Sequence, residues 1–269
     1  MDRLFGELLG RLRRLGIFDQ SLIVVTADEG SSYRAGDRRR GPTPTNLADI
    51  AYVPLFVKVP GQRQGAVDDA YVQGIDVLPT IAESLDISIP WRVDGHSAFS
   101  GPHADTVRFA GEGVSIDAGL LVKQRDAAVK RKVAFFGSEK GSRGLFAIGP
   151  HHELVGRLVS ALPVAPSSAA SATINSRARA RLQAVRPGSG FLPALIGGVI
   201  HKGRPGMTLA IAVNGRIATT TRSYSISGNG RFAALVPAPV FRRGVNHVQV
   251  LEVETSDGAL RLRSLGNVS

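Results

Sequence analysis

The stretch LGIFDQSLIVVTADEG, residues 15–30, decides the fold class of this 269-residue chain. Its apolar run at residues 22–25 is short and rich in β-branched side chains, which is typical of a strand buried on both faces in a parallel sheet. Leucines spaced three and four apart predict a helix over residues 2–15, just ahead of the strand. A second strand is predicted in VPLFVKVPG, residues 53–61, and a second helix over residues 75–85. This alternation predicts an α/β layer fold.

The rest of the chain suggests further strands and a second domain. Segments of residues 107–150 look like two or three strands separated by glycine-containing turns, which predicts an antiparallel extension of the sheet. Residues 161–190 are rich in Ala, Ser, Pro and Arg, as linkers are, with one short helix expected at 173–184. Residues 191–269 alternate short apolar runs with NG, GNG and DG signals, which predict an all-β, sandwich-like domain. The predicted domains are therefore 1–160, 161–190 and 191–269.

Composition and charge limit the possible functions. Hydrophobic residues make up 43% and charged residues 20% of the chain, which excludes the disordered, collagen-like and coiled-coil classes. The chain has no cysteine, so disulfides, thiolate metal sites and cysteine nucleophiles are excluded. Residues 1–100 carry 11 basic and 13 acidic side chains, whereas residues 187–269 carry 9 and 3. The basic rear favours an acidic glycan or anionic lipid as partner, while nucleic acid is not expected because few aromatic residues accompany the arginines.

The most informative candidate site follows the first predicted strand. Asp28 and Glu29 lie at its carboxyl end, the edge at which open α/β sheets bind ligands. Carboxylates suit hard divalent cations. On the following irregular loop, Arg38, Arg39 and Arg40 can hold a sulfate or phosphate group by forked hydrogen bonds. Spacing alone favours a simpler interpretation, in which the acidic pair starts a turn and the arginines form a solvated run.

Four motifs in order resemble sulfatases and related members of the alkaline phosphatase superfamily. They are residues 15–30, VPLFVKVPGQ (53–62), GIDVLPTIAESLDISIP (74–90) and VDGHSAF (93–99). In that family a small residue followed by Asp, His and Gly ends a buried strand. The set looks most like the sulfatase-like domains of large actinobacterial membrane proteins, whose hydrolase domain lies outside the cytoplasm. The resemblance covers residues 2–99 and implies a partial alkaline-phosphatase-like mixed sheet with flanking helices.

The resemblance also implies a divalent metal, which is calcium, magnesium or manganese, and a formylglycine, serine or threonine nucleophile. Asp28 matches the family's metal-ligating aspartate. Glu29 stands where relatives have His, Asn or Gln, so it would ligate the metal with an added negative charge that repels an anionic substrate. Arg38, Arg39 and Arg40 lie where relatives place a basic substrate-binding residue. Five further residues match landmarks that serve as helix caps and turns: Asp76, Pro79, Thr80, Asp94 and Gly95.

The family's nucleophile has no match in this sequence. No segment resembles the serine or threonine nucleophile motif, and the absence of cysteine excludes a formylglycine. The chain therefore resembles the rear portion of a metal-dependent sulfatase-like hydrolase acting on sulfate or phosphate esters, and it is expected to be inactive alone. The alternative is a non-catalytic basic β-module that docks on an acidic glycan or an anionic membrane surface.

Overall fold

The structure, a computed structural model, describes residues 2–101, 106–108, 115–136, 141–166, 169–189, 192, 194–226, 228–256 and 258–268. It is a mixed α/β structure with several antiparallel sheets. Two compact units are present, each built from two stretches of sequence. Unit 1 comprises Met1–Gly30 and Ile50–Arg125, and unit 2 comprises Ser31–Asp49 and Asp126–Ser269. Within the described residues, no helix combines the length and the apolar character needed to cross a bilayer.

Unit 1 begins with the helix and strand predicted from the leucine spacing and the apolar run. The elements up to residue 117 are α1 (Asp2–Arg14), β1 (Ile23–Val25), α2 (Leu47–Ala51), β2 (Phe56–Lys58), α3 (Val77–Ser84), β3 (Thr106–Arg108) and β4 (Ser115–Asp117). Helices α1 and α3 confirm the two predicted helices, and Pro79 lies in the first turn of α3 as expected. The chain leaves α1 through Gly16, whose φ of 71° favours glycine.

The pairing of β1 differs from the parallel arrangement expected from its composition. Strand β1 pairs antiparallel with β2, and its residues are half-buried. The Lys58 ammonium group donates hydrogen bonds of 2.8–3.0 Å to the carbonyl oxygens of Phe18, Asp19 and Ser21, which fastens the turn before β1 to the end of β2. A continuous apolar run reports burial and carries no information on strand direction, so the direction could not be read from it.

The landmark residues hold the start of α3 against the segment that follows the helix. Asp76 is buried, and its carboxylate accepts hydrogen bonds from the backbone N–H groups of Gln73 at 2.7 Å and His96 at 2.9 Å. The Thr80 hydroxyl accepts a hydrogen bond from the backbone N–H of Ala98 at 2.9 Å. These contacts give Asp76 and Thr80 the structural roles that the resemblance implies.

A long helix stands where strands were predicted. Helix α4 (Ala118–Phe136) replaces the strands expected within residues 119–137, and a 3₁₀ helix occupies Gly141–Phe146. The Asp117 carboxylate accepts a hydrogen bond from the Leu120 backbone N–H at 2.8 Å, as a helix N-cap does. From Leu120 to the end of α4 there is no glycine or proline, and Ala, Lys, Arg and Gln favour a helix. The strand prediction is wrong because it weighted two short apolar runs above the length of this unbroken segment.

Unit 2 contains two four-stranded antiparallel sheets. Its later elements are β5 (Ser171–Ile174), α5 (Ser176–Leu182), β6 (Leu195–His201), β7 (Thr208–Val213), β8 (Arg216–Arg222), β9 (Tyr224–Ile226), β10 (Asn229–Leu235), β11 (Val248–Ser256) and β12 (Ala259–Val268). The strand orders are β5-β6-β10-β9 and β12-β11-β7-β8. One buried cluster draws on both sheets and includes Ile196, Leu209 and Phe232. The NG turn is confirmed, because Asn214 and Gly215 adopt φ of 52° and 79° between β7 and β8.

The segment expected to be a linker contributes regular structure to unit 2. Within residues 161–190, β5 pairs with β6, and Leu182 of α5 is fully buried in the cluster shared by the two sheets. A second buried cluster combines Leu154 and Leu162 with side chains of β7, β8, β11 and β12. The small side chain of Ala172 in β5 is buried. This segment has a composition typical of linkers, yet it packs closely within unit 2.

A buried carboxylate attaches residues 31–49 to α4 within unit 2. Asp49 is only 1% exposed. Its oxygens lie 2.5 Å from Arg131 Nη2 and 3.4 Å from Lys132 Nζ, both on α4, and 3.5 Å from Arg34 Nε. Three cations therefore surround one carboxylate, which offsets the cost of removing its charge from water.

Gly95→Ala is expected to destabilise unit 1. A Cβ at position 95 would lie 2.1 Å from the Ile75 carbonyl oxygen, so the backbone must shift. Overpacking of this kind costs about 1–3 kcal/mol. Urea unfolding followed by the fluorescence of Trp91, the single tryptophan, measures the loss. Gly65→Ala is the matched control, because a Cβ there meets nothing within 4 Å, and equal losses in both variants would contradict the close contact.

Asp49→Asn is expected to destabilise unit 2 by about 3–5 kcal/mol, because the substitution leaves three cations around a neutral side chain. Urea unfolding and hydrogen exchange of the α4 amides measure the change. Glu7→Gln is the control, since Glu7 forms an exposed ion pair with Arg3, and such pairs contribute about 0–1 kcal/mol. A variant at position 49 as stable as this control would show that the cluster does not stabilise unit 2.

Candidate functional site

The acidic pair predicted to bind a metal lies in unit 1, shortly after β1. Asp28 is exposed and Glu29 is half-buried. The next residue, Gly30, donates a backbone hydrogen bond to the carbonyl oxygen of Ile50 at 2.8 Å. This bond fixes the direction in which the chain leaves the strand, so both carboxylates stand in the segment that follows the strand end, where the sequence predicts them.

The donor set for a metal is incomplete in the part of the chain that the structure describes. No group of three or more His, Asp or Glu side chains gathers there as candidate ligands. Calcium takes about six to eight oxygen ligands, so Asp28 and Glu29 alone do not make a metal site. Their role as metal ligands stays a prediction.

The arginine loop, residues 31–46, is ordered by its own polar side chains. Asn46 is almost fully buried, and its side-chain amide donates hydrogen bonds to the carbonyl oxygens of Arg38 at 3.1 Å and Gly41 at 3.2 Å. The Asp37 carboxylate accepts a hydrogen bond from the Arg38 backbone N–H at 2.9 Å. The loop is therefore preorganised, although it contains no helix or strand before α2.

The three predicted substrate-binding arginines have different surroundings. The Arg39 guanidinium group lies over the Tyr33 ring, 5.1 Å from its centroid, and burial lowers the pKa of Arg39. The Arg38 guanidinium packs against Gly41, where a Cβ would lie 3.1 Å from Arg38 Cζ. Arg40 is exposed. Packing within unit 2 thus restrains Arg38 and Arg39.

Strands β9 and β10 bring two further residues close to the arginine loop. Tyr224 and Arg231 are direct neighbours across the β9–β10 hairpin. Arg231 precedes the fully buried Phe232, so its side chain lies on the face of the sheet opposite the core. Burial raises the pKa of the Tyr224 hydroxyl, and the Asp37 carboxylate adds to that rise. Three guanidinium groups lie near enough to oppose it, namely those of Arg231, Arg38 and Arg39.

An open pocket lies between the arginine loop and strands β8 and β10, entirely within unit 2. Its lining includes Tyr33 and Arg39 from the loop, Thr220 from β8 and Leu235 from β10. Thr220 is buried, and its hydroxyl oxygen has no hydrogen-bond partner among the described residues. The pocket has a volume of about 20 Å³, room for one water molecule, and its lining combines the Arg39 guanidinium group with the Asp37 carboxylate.

The structure brings only part of the predicted site into one unit. Asp28 and Glu29 belong to unit 1, whereas the arginine loop belongs to unit 2 with Tyr224 and Arg231. The joint site of acidic pair and arginines therefore stays a prediction. Sequence reasoning did not single out Tyr224 and Arg231 as a pair, because the GNG signal at residues 228–230 predicts a hairpin there but not the register that places these two residues opposite each other.

Comparison with known proteins finds relatives for part of the chain. The Sulfatase family model matches residues 1–87. The endo-4-O-sulfatase of Bacteroides thetaiotaomicron is 31% identical over 119 residues, which are 41% of this chain and 23% of that protein. The lipoteichoic acid synthase of Staphylococcus saprophyticus is 28% identical over 116 residues, 40% of this chain and 18% of that protein. Arylsulfatase K of Bos taurus is 26% identical over 96 residues, 36% of this chain and 17% of that protein.

The chain spans about a fifth of the length of these curated relatives. No solved structure gives a significant match. The family match includes the strand end with Asp28, the arginine loop and helix α3 with its cap at Asp76. Residues 1–87 are thus similar in sequence to members of the alkaline phosphatase and sulfatase superfamily.

Proposed function

We propose that this chain supplies part of a metal-dependent hydrolase of sulfate or phosphate esters. The observation that carries the proposal is the family match over residues 1–87, which includes Asp28 and the arginine loop. Two of the relatives carry the name sulfatase. The guanidinium groups of the loop support the same substrate class, because they bind tetrahedral oxyanions by paired hydrogen bonds.

In this proposal Asp28 and Glu29 are metal ligands, and Arg38, Arg39 and Arg40 bind the ester anion. A divalent metal, which is calcium, magnesium or manganese in the family, supplies Lewis-acid polarisation of the ester oxygen when bound. The described residues do not provide enough ligands to complete a metal site. In this proposal the chain's own side chains therefore act electrostatically. The guanidinium groups orient the sulfate or phosphate group and neutralise the charge that develops on it.

The proposal includes a finer assignment of the fold. Unit 1 is the rear part of an alkaline-phosphatase-like mixed sheet with flanking helices, and the two sheets of unit 2 form a sandwich-like module. The β1–β2 pair between α1 and α3 in sequence supports the first assignment. The buried cluster shared by both four-stranded sheets supports the second.

A second candidate function is the docking of unit 2 on an acidic glycan or an anionic membrane surface. The chain carries a formal net charge of +11, and unit 2 holds most of the excess basic residues. Six arginines of the later strands and turns are exposed: Arg204, Arg216, Arg222, Arg242, Arg243 and Arg261. This function needs neither a metal nor a nucleophile, which separates it from the first candidate.

The chain by itself is expected to hydrolyse neither 4-nitrophenyl sulfate nor 4-nitrophenyl phosphate with calcium, magnesium or manganese. The reason is chemical, because the sequence holds no cysteine to become formylglycine and no segment resembling the family's serine or threonine nucleophile. Release of 4-nitrophenol measures turnover. Activity that disappears in Asp28→Ala but persists in the control Asp19→Ala would contradict this expectation and assign a complete active site to the chain.

A chimera tests the hydrolase proposal directly. Residues 1–30, which belong to unit 1 and contain Asp28 and Glu29, replace the matching segment of the Bacteroides endo-4-O-sulfatase, and metal-dependent sulfate release is measured. In the chimera, Asp28→Ala is expected to lower activity roughly a hundredfold or more, because even outer partners of metal ligands are worth about 10–100-fold. Glu29→Gln is expected to raise activity, since it removes a negative charge that repels the ester anion.

The control for the chimera is Asp19→Ala, which changes an exposed carboxylate of the same segment that lies 3.5 Å from Arg63. Circular dichroism checks that each chimera is folded. A folded, active chimera in which Asp28→Ala and Asp19→Ala have equal effects would refute the role proposed for Asp28.

A further inference from the structure

Three arginines from distant parts of the sequence lie near enough to Tyr224 to act on its hydroxyl electrostatically. Arg231 lies opposite Tyr224 in the β9–β10 hairpin. Arg38 and Arg39 arrive on the arginine loop, which packs directly on the end of β8. The contact is close at Gly36, where an added Cβ would lie 3.1 Å from a β8 side-chain carbon. The arginine loop and the β9–β10 hairpin thus both contribute charged side chains to the surroundings of Tyr224 in unit 2.

The positive charges of this group lack local compensation. No ion pair joins the guanidinium groups of Arg38, Arg39 or Arg231 to a carboxylate among the residues that the structure describes. The Asp37 carboxylate accepts hydrogen bonds from its own loop, at 2.9 Å from the Arg38 backbone N–H and 3.3 Å from the Thr45 hydroxyl. The group therefore carries a surplus of positive charge.

The Arg231 side chain adds a second sign of a missing partner. Its Nε atom is buried and has no hydrogen-bond acceptor in the described part of the chain. A buried donor without an acceptor costs about 1–3 kcal/mol, and more when it is charged. Because Nε itself is shielded from solvent, an anion from solution would contact Arg231 through the other guanidinium nitrogens of this partly buried residue.

We propose that Arg38, Arg39 and Arg231 form an oxyanion site within unit 2 that binds the sulfate or phosphate group of an ester. Guanidinium groups hold such anions through paired N–H donors, and the Tyr224 hydroxyl supplies one more donor. The adjoining pocket holds about 20 Å³, room for one water molecule, so the organic part of the ester lies outside it. The inference rests on the proposed function for the choice of ester.

The site needs no metal. All of its residues belong to unit 2, and the side chains proposed to bind the anion are three arginines and a tyrosine, with the Asp37 carboxylate lining the adjoining pocket. Arg231 and Tyr224 also lie outside the segment that the family model matches. Anion binding in the presence of a chelator therefore distinguishes this site from the metal-dependent chemistry proposed for Asp28 and Glu29.

The test uses the full chain labelled with ¹⁵N in EDTA at low ionic strength. Sodium sulfate, sodium phosphate and 4-nitrophenyl sulfate are titrated against sodium chloride of equal ionic strength, and arginine Nε–Hε NMR signals report the response. We expect a saturable shift of the Arg231 signal with sulfate, phosphate and the sulfate ester but not with chloride. No saturable shift would overturn the site, and a shift with inorganic sulfate but none with the ester would overturn the ester assignment.

Arg231→Gln is expected to weaken sulfate binding roughly tenfold, because it removes one charged hydrogen-bonding partner. Arg243→Gln is the matched control, since it removes the same charge from an exposed position of unit 2. Equal weakening in both variants would mean that sulfate is attracted to the basic surface as a whole, which would overturn the site. If Arg231→Gln does not fold, Arg38→Gln on the loop gives the same comparison.

The two proposals fail separately. The chimera contains residues 1–30 without the arginine loop, β9 or β10, so its activity depends on none of Arg38, Arg39 and Arg231. The NMR titration contains a chelator, so its outcome does not depend on Asp28. An inactive chimera with intact sulfate binding therefore rejects the hydrolase proposal alone, and the reverse result rejects the oxyanion site alone.

Discussion

The buried Asp49 carboxylate is the constraint on which the placement of the arginine loop depends. Removing a carboxylate from water costs several kcal/mol, so it persists at 1% exposure only because cations lie close to it. Arg131 and Lys132 of α4 and Arg34 of the loop supply those cations. Because Arg131 lies 82 residues from Asp49 in sequence, one contact orders two distant segments and anchors the loop where it joins α2.

The same arrangement explains why unit 2 concentrates positive charge at one place. Asp49 is surrounded by three cations, and the guanidinium groups of Arg38, Arg39 and Arg231 gather near Tyr224 without acidic partners in the described residues. Buried Asn46 holds the loop backbone at Arg38 and Gly41, so the loop is ordered without a ligand. A preorganised cluster loses little conformational entropy on binding, so the proposed oxyanion site is expected to bind anions more tightly than scattered surface arginines do.

Local sequence patterns predicted the local structure well, but they did not predict contacts between residues that are far apart in sequence. The leucine spacing gave α1, and the NG signal gave the β7–β8 turn, because both depend on neighbours in sequence. Helix α4 was missed because short apolar runs fit a strand or a helix equally well, and only segment length separates the two. The antiparallel direction of β1 and the Asp49–Arg131 contact depend on partners 30 to 80 residues away, on which local patterns carry no information.

The division of the molecule changes how the family match must be interpreted. Residues 1–87 match the sulfatase family as one stretch, yet residues 31–49 of that stretch pack in unit 2. The sequence of the arginine loop lies within the stretch that matches the family model. In the structure, however, the loop packs in the β-rich unit 2. Shortening the chain before α4 would remove Arg131 and Lys132 from Asp49 and β8 from Gly36, so the loop would lose the contacts that order it. The arginine loop therefore requires unit 2 for its structure. The anion binding proposed for this loop depends in turn on strands that lie outside the family match.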